Sequence, residues 1–168
     1  MTRSTQPGLV LAIQPTSRGF GWVLFEGAVV PVDWGIASAK GDSAQCMVRF
    51  TQLLDQYQPS TLVLERFGKN DSHRGERIRT LARTMRGFAS NRDMDTPVYG
   101  KEEVSSEMTG NPKASRHAVA CVVAGRLPVL NHELPDARRL WESENNRRSL
   151  FDAAALGITH HALTQPRA

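Results

Sequence analysis

Three acidic side chains stand out in this 168-residue chain for the company they keep. Glu65 closes the apolar run Thr61-Leu62-Val63-Leu64, so a strand ending there presents its carboxylate at the rim of a sheet, where ligands gather in open α/β sheets. Asp152 lies inside Leu150-Phe151-Asp152-Ala153-Ala154-Ala155-Leu156-Gly157, an apolar helical stretch in which a bare carboxylate is costly without a metal, a cation or water beside it. Glu144, in Trp141-Glu142-Ser143-Glu144, comes just before that stretch. Hard divalent cations such as Mg²⁺ (or Mn²⁺) take carboxylate oxygens, and metal-assisted phosphodiester cleavage needs acidic groups converging on one point. Each residue also has a plainer reading. Glu65 is then a solvated strand end, Asp152 a partner of Arg147 or Arg148, and Glu144 an acid that favours a helix N-terminus.

The second chemical signal is basic. A formal net charge of +4 and a pI near 9.5 are only mildly basic, but the distribution is uneven. Lys69, Arg74, Arg77, Arg79, Arg83, Arg86 and Arg92 fall in one short stretch, opposed mainly by Asp71 and Glu76. Lys113 and Arg116 open a further predicted helix, where N-terminal amides add affinity for phosphate. Such clustering is the footprint expected of a phosphate-backbone partner, and an arginine-rich solvated helix face is the alternative. Phe67, just past Glu65, is placed either to wedge against a base or to join the core. The five histidines show no zinc spacing, and His160-His161 sits where it favours the negative end of a helix dipole. Cys46 and Cys121 are far apart, which reads as two reduced, semi-buried thiols.

These groups need elements to carry them. The length predicts one domain over 1–168, with short flexible ends at about 1–7 and 163–168. An apolar fraction of 40% is ordinary for a globular chain. No apolar stretch approaches a membrane span and Met1 to Gly8 is polar, so a cytoplasmic protein without a membrane partner is expected. Strands are predicted over 9–13, 20–25 and 28–34, joined by connections too short for helical crossovers and hence antiparallel. A helix follows Ser43, a plausible N-cap, and ends before Pro59. Residues 61–65 then form a strand covered on both faces. The helix over 74–89 has a core stripe of Ile78, Leu81, Ala82, Met85, Phe88 and Ala89, with Arg79, Arg83 and Arg86 on a second face. A short strand at 97–99 and helices at 102–108, 113–124 and 147–162 complete an α/β mixed sheet flanked by helices.

The motifs in order resemble the RuvC-type Holliday-junction endonucleases of the ribonuclease H-like superfamily. The resemblance covers about residues 9 to 161. It rests on Ile13-Gln14-Pro15-Thr16-Ser17-Arg18-Gly19-Phe20-Gly21, on Leu62-Val63-Leu64-Glu65, and on Trp141-Glu142-Ser143-Glu144 followed by Ser149-Leu150-Phe151-Asp152-Ala153-Ala154-Ala155-Leu156. It implies a ribonuclease H-like sheet and divalent-metal-dependent hydrolysis of branched DNA without a covalent enzyme intermediate. It also implies a homodimer that holds DNA by backbone contacts across a positively charged face. Glu65 matches the family's fourth-strand glutamate, and Asp152 a metal-binding acid of the last helix. Ser149 falls where some members carry another aspartate, a role Glu144 would take over. Gln14 occupies the position of the first-strand aspartate, which in the family bridges both metal ions. A neutral amide is a poor bridging ligand, so the resemblance implies cleavage weakened by on the order of 10²-fold or more, or a catalytically silent binder of branched DNA. Pro15-Thr16-Ser17-Arg18-Gly19 also resembles the phosphate loop of actin-like sugar kinases and ATPases. The chain is short for those two-lobed proteins, and a melting temperature unmoved by ATP is expected.

Overall fold

In the computed structural model of the chain, the described residues are 8–27, 30–39, 42–67, 73–133 and 147–164. Lys69, Glu144 and the two predicted flexible ends, apart from 163–164, lie outside them, as does the side chain of Arg74. The elements are β1 (Leu9–Pro15), β2 (Gly19–Glu26), β3 (Pro31–Ser38), α1 (Ser43–Tyr57), β4 (Thr61–Arg66), α2 (His73–Asn91), β5 (Val98–Gly100), α3 (Lys101–Thr109), α4 (Arg116–Arg126) and α5 (Arg147–Thr164). A 3₁₀ turn, Pro128–Glu133, follows α4. The sheet has five strands in the order β3-β2-β1-β4-β5. β1–β2 and β2–β3 are antiparallel, while β1–β4 and β4–β5 are parallel. This is the mixed sheet that the short early connections and the later helical crossovers predict.

The apolar alternation of the central strands sorts the core into two layers. Val10 and Ala12 of β1, Val23 and Phe25 of β2 and Val63 of β4 pack with α3, α4 and α5. Leu11, Ile13, Leu24, Leu62 and Leu64 face the other way, onto α1 and α2. Because side chains alternate along a strand, this division decides on which side every polar residue of β1 and β4 emerges. The predicted α2 stripe is borne out for Leu81, Ala82, Met85 and Ala89, which are buried, with Ile78 and Phe88 partly so. α5 is buried from Ser149 to Thr159 except at Asp152. It comes this close to the sheet because glycine meets it: a Cβ on Gly21 of β2 would lie 2.4 Å from the Ser149 carbonyl carbon.

Most boundaries differ from the sequence reading by a residue or two, and three of the differences bear on the caps and turns. β3 begins at Pro31 rather than at residue 28 and runs on to Ser38; just before it the Glu26 N–H bonds the Val30 carbonyl at 2.9 Å, and residues 28–29 lie outside the described ones. The cap of α1 is Asp42, not Ser43: its carboxylate accepts from the amides of Ala44 and Gln45 at 2.9 and 3.4 Å. α4 begins at Arg116 rather than 113, since Ser115 Oγ accepts from the Ala118 N–H at 3.1 Å and fixes the start there. Lys113 therefore stands in the preceding turn, its N–H bonded to Asn111 Oδ1 at 3.0 Å.

Candidate active site

Gln14 shares the face of Val10 and Ala12, and Glu65 the face of Thr61 and Val63, so both emerge on the α5 side. The parallel register pairs Ala12 with Val63, and two residues further on Gln14 and Glu65 are neighbours. Gln14 Nε2 donates to Glu65 Oε2 at 3.0 Å. A neutral amide beside a carboxylate turns its N–H₂ toward it, as here, which removes by hydrogen bonding part of the demand for a cation.

α5 lies across these strand ends and brings Asp152 into the same cavity, of about 230 Å³. Its apolar wall includes Phe67, Ile78, Val104 and Leu156, and its polar rim Lys101, Arg116 and Arg148. Arg148, one of the two cations the sequence places nearest, acts on Asp152 through its charge, while Asp152 is ion-paired with Arg116 at the start of α4. The guanidinium engages both carboxylate oxygens, with Nε 3.4 Å from Oδ1 and Nη2 on Oδ2. Burial pushes the Asp152 carboxyl above its ordinary range, against the pull of Arg116, Lys101 and Arg148. Burial also raises Glu65; the Gln14 hydrogen bond opposes it, the Asp152 charge adds to it, and Lys101 and Arg116 draw it down. Two buried carboxylates, one of which raises the other's cost of ionisation, form a site suited to positive charge.

The donors fit one hard cation, with Glu65 and Asp152 as its charged ligands and the Gln14 amide oxygen available only if that amide turns away from Glu65. They do not offer the bridging carboxylate that a pair of cations needs at the β1 position. Ser149, one turn before Asp152, brings a hydroxyl to the cavity wall. Among the described residues no three His, Cys, Asp or Glu side chains gather to hold a metal, and Glu144 lies outside them.

The expected basic residues are dispersed. Arg116 lines the cavity. Arg79 and Arg86 are held locally, by the Gly75 carbonyl at 3.3 Å and by Thr96 at 3.2 Å. Arg77 and Arg83 are exposed on α2, the layer on the far side of the sheet from α5. Arg92 pairs with Asp55 and lies over the Phe88 ring. One rim cation, Lys101, was missed by the sequence reading, and Arg148 was read there as a neighbour of Asp152 alone. Lys101 directly follows β5, whose carboxyl end opens on the same rim as that of β4, and that adjacency was the available signal. Both cysteines are free, but neither is semi-buried: Cys46 is buried and Cys121 is exposed, 3.4 Å from His117 Nε2.

Three antiparallel strands, two parallel additions and a closing helix that delivers an acid to the ends of β1 and β4 define a ribonuclease H-like fold. No protein-family model and no curated protein sequence matches the chain. Solved structures do. Thermus thermophilus RuvC in complex with Holliday junction substrate aligns with a TM-score of 0.68 at 18% identity, over 91% of this chain and 92% of that one. The yeast mitochondrial Holliday junction resolvase aligns at 0.62 and 12% identity, over 96% and 83%. The fowlpox virus Holliday junction resolvase aligns at 0.60 and 10%, over 94% and 99%. The chain thus has the fold of the RuvC-like resolvases.

Proposed function

We propose that this chain is a structure-selective DNA endonuclease of the RuvC type, dependent on Mg²⁺ or Mn²⁺ and slowed by Gln14. Its substrate is a Holliday junction or other branched DNA, engaged by a homodimer. The observation that carries this reading is the convergence of Glu65 and Asp152, from separate elements, on one cavity with a cationic rim. The fold supports it too, since the solved counterparts are Holliday junction resolvases, one of them in complex with its junction.

In this reading Glu65 and Asp152 hold the cation, which supplies charge stabilisation for hydrolysis of a phosphodiester by water. Lys101 and Arg148 hold the flanking phosphates and keep the scissile group over the two carboxylates. Gln14 keeps Glu65 oriented but adds no negative charge. A second reading, a silent binder of branched DNA with the nuclease fold, is favoured by the Gln14–Glu65 hydrogen bond and the Arg116–Asp152 pair. In it both carboxylates are satisfied by the chain itself.

Fluorescence anisotropy with a four-way junction and a duplex in EDTA, followed by a nicking assay in Mn²⁺, tests the proposal. The expected result is preferential junction binding with slow nicking that Asp152→Ala abolishes while binding persists. Nicking that survives in Asp152→Ala contradicts the assignment of the site. Junction binding with no nicking by the unaltered chain favours the silent binder.

A further inference from the structure

Asp152 sits inside the most buried helix of the fold, and the charge that balances it comes from 36 residues away. The pair has two features that a purely structural bridge does not need. The guanidinium takes both carboxylate oxygens, the same atoms a hard cation would use. The arginine is also the looser partner, its side chain 42% exposed against 21% for the aspartate. It belongs to the first residue of α4, at the rim of the cavity, so its head group has solvent and any incoming phosphate within reach. The packing of α4 on α5 does not depend on it: Val119, Ala120 and Val123 join Phe151, Ala154 and Ala155 in one apolar cluster beneath.

We propose that Arg116 is the built-in counter-ion of this site and competes with a divalent cation for Asp152. With the guanidinium seated, Asp152 offers no unengaged oxygen and the site carries a positive charge that repels a second one. With the guanidinium drawn aside, Asp152 and Glu65 keep only Gln14 and the rim charges of Lys101 and Arg148 beside them, and cation affinity rises. A DNA phosphate is the natural agent of that displacement, because it offers arginine a bidentate anion at the cavity rim. DNA binding and cation binding are then coupled through one side chain, and coupling of this kind is reciprocal. Arg116 is in this account a positioning residue that acts through Asp152. The inference rests on the reading of Glu65 and Asp152 as cation ligands.

Mn²⁺ binding to the DNA-free protein, followed by electron paramagnetic resonance of the free ion, tests it without any activity. Arg116→Gln is expected to bind Mn²⁺ about tenfold or more tightly than the unaltered chain. Arg116→Lys, which keeps the charge but loses the two-pronged grip, is expected to fall between them. Melting curves of the metal-free proteins establish that the variants fold. An affinity in Arg116→Gln equal to or below that of the unaltered chain overturns the competition, and Arg116→Lys gives an independent reading should Arg116→Gln fold poorly. Gln14→Asp separates the two levels of the argument. If it binds Mn²⁺ while Arg116→Gln gains nothing, only the competition fails. If no variant binds Mn²⁺, the cation site fails and the competition with it.

Discussion

At the scale of single residues the account turns on an amide where an acid would complete the site. Gln14 makes a 3.0 Å hydrogen bond to Glu65, so it is well placed and wrongly charged for holding a cation. Gln14→Asp is expected to raise junction cleavage by on the order of 10²-fold, since it restores a charged ligand at the reacting centre. The same change puts three carboxylates in one small cavity. Its melting temperature should therefore fall in EDTA and recover in Mn²⁺, because a ligand that binds the folded state alone stabilises it. A Gln14→Asp protein whose melting temperature ignores Mn²⁺ would argue against a cation at this position. Glu65 and Asp152 were readable from sequence, because a carboxylate closing an apolar strand or interrupting an apolar helix is conspicuous. The partner of Asp152 was not. Arg147 and Arg148 are its neighbours along the chain, and nothing in local sequence indicates that the fold brings Arg116 to it instead.

At the scale of elements, α5 positions the chemistry, and it does so by lying unusually close to β2. A Cβ at Gly21 would meet the backbone of Ser149 at 2.4 Å. Gly21→Ala is expected to cost about 1–3 kcal/mol of stability, the usual penalty of overpacking. It should also weaken cleavage more than junction binding, since it displaces α5 and Asp152 with it. Urea unfolding and the two DNA assays measure this together. The far end of α5 makes a separate prediction about pH. Burial lowers the pKa of His160 and of His161 from the ordinary 6.5, and His160's proximity lowers His161 further. His160 Nδ1 and the Tyr99 hydroxyl share a hydrogen bond of 2.8 Å, while His161 Nε2 is buried without a partner among the described residues. Below about pH 6.5 the unfolded chain thus binds more protons than the folded one. Stability from these two residues is complete above that pH and is lost as pH falls through it. The urea midpoint should drop between pH 7.5 and 5.5, and His161→Phe, which keeps the ring edge against Phe25, should flatten that drop. An unchanged slope in His161→Phe would show that the buried ring does not titrate. The helices themselves were legible as apolar stripes, but their starts were not: Lys113 belongs to a turn because the Ser115 cap, and not the run of basic residues, sets where α4 begins.

At the scale of the whole molecule, the alternation of β1 and β4 does most of the work. It sends Leu11, Ile13, Leu62 and Leu64 to one layer and Gln14 and Glu65 to the other, under α5. The antiparallel pairing of the first three strands was legible because short early connections force antiparallel neighbours. The layer holding α2 was not. The arginine face of that helix therefore looked adjacent to Glu65 in sequence, whereas among the described residues of α2 it is Ile78 that lines the cavity. The cations that rim the cavity are Lys101, Arg116 and Arg148. Junction affinity is expected to fall steeply with salt, with a log–log slope of about −3 per protomer from these three alone. Lys101→Ala should make that slope shallower by about 1. A slope unchanged in Lys101→Ala would place the DNA elsewhere on the surface. A homodimer is expected by light scattering with and without junction, because a four-way junction presents two symmetry-related strands to one site each.

The most direct test of the central claim is cleavage of a labelled four-way junction in Mn²⁺ by the unaltered chain, Gln14→Asp and Asp152→Ala, side by side. The account predicts slow nicking by the first, nicking faster by on the order of 10²-fold by the second, and none by the third. No cleavage by Gln14→Asp, with junction binding intact, would contradict it and leave a binding protein built on a nuclease fold.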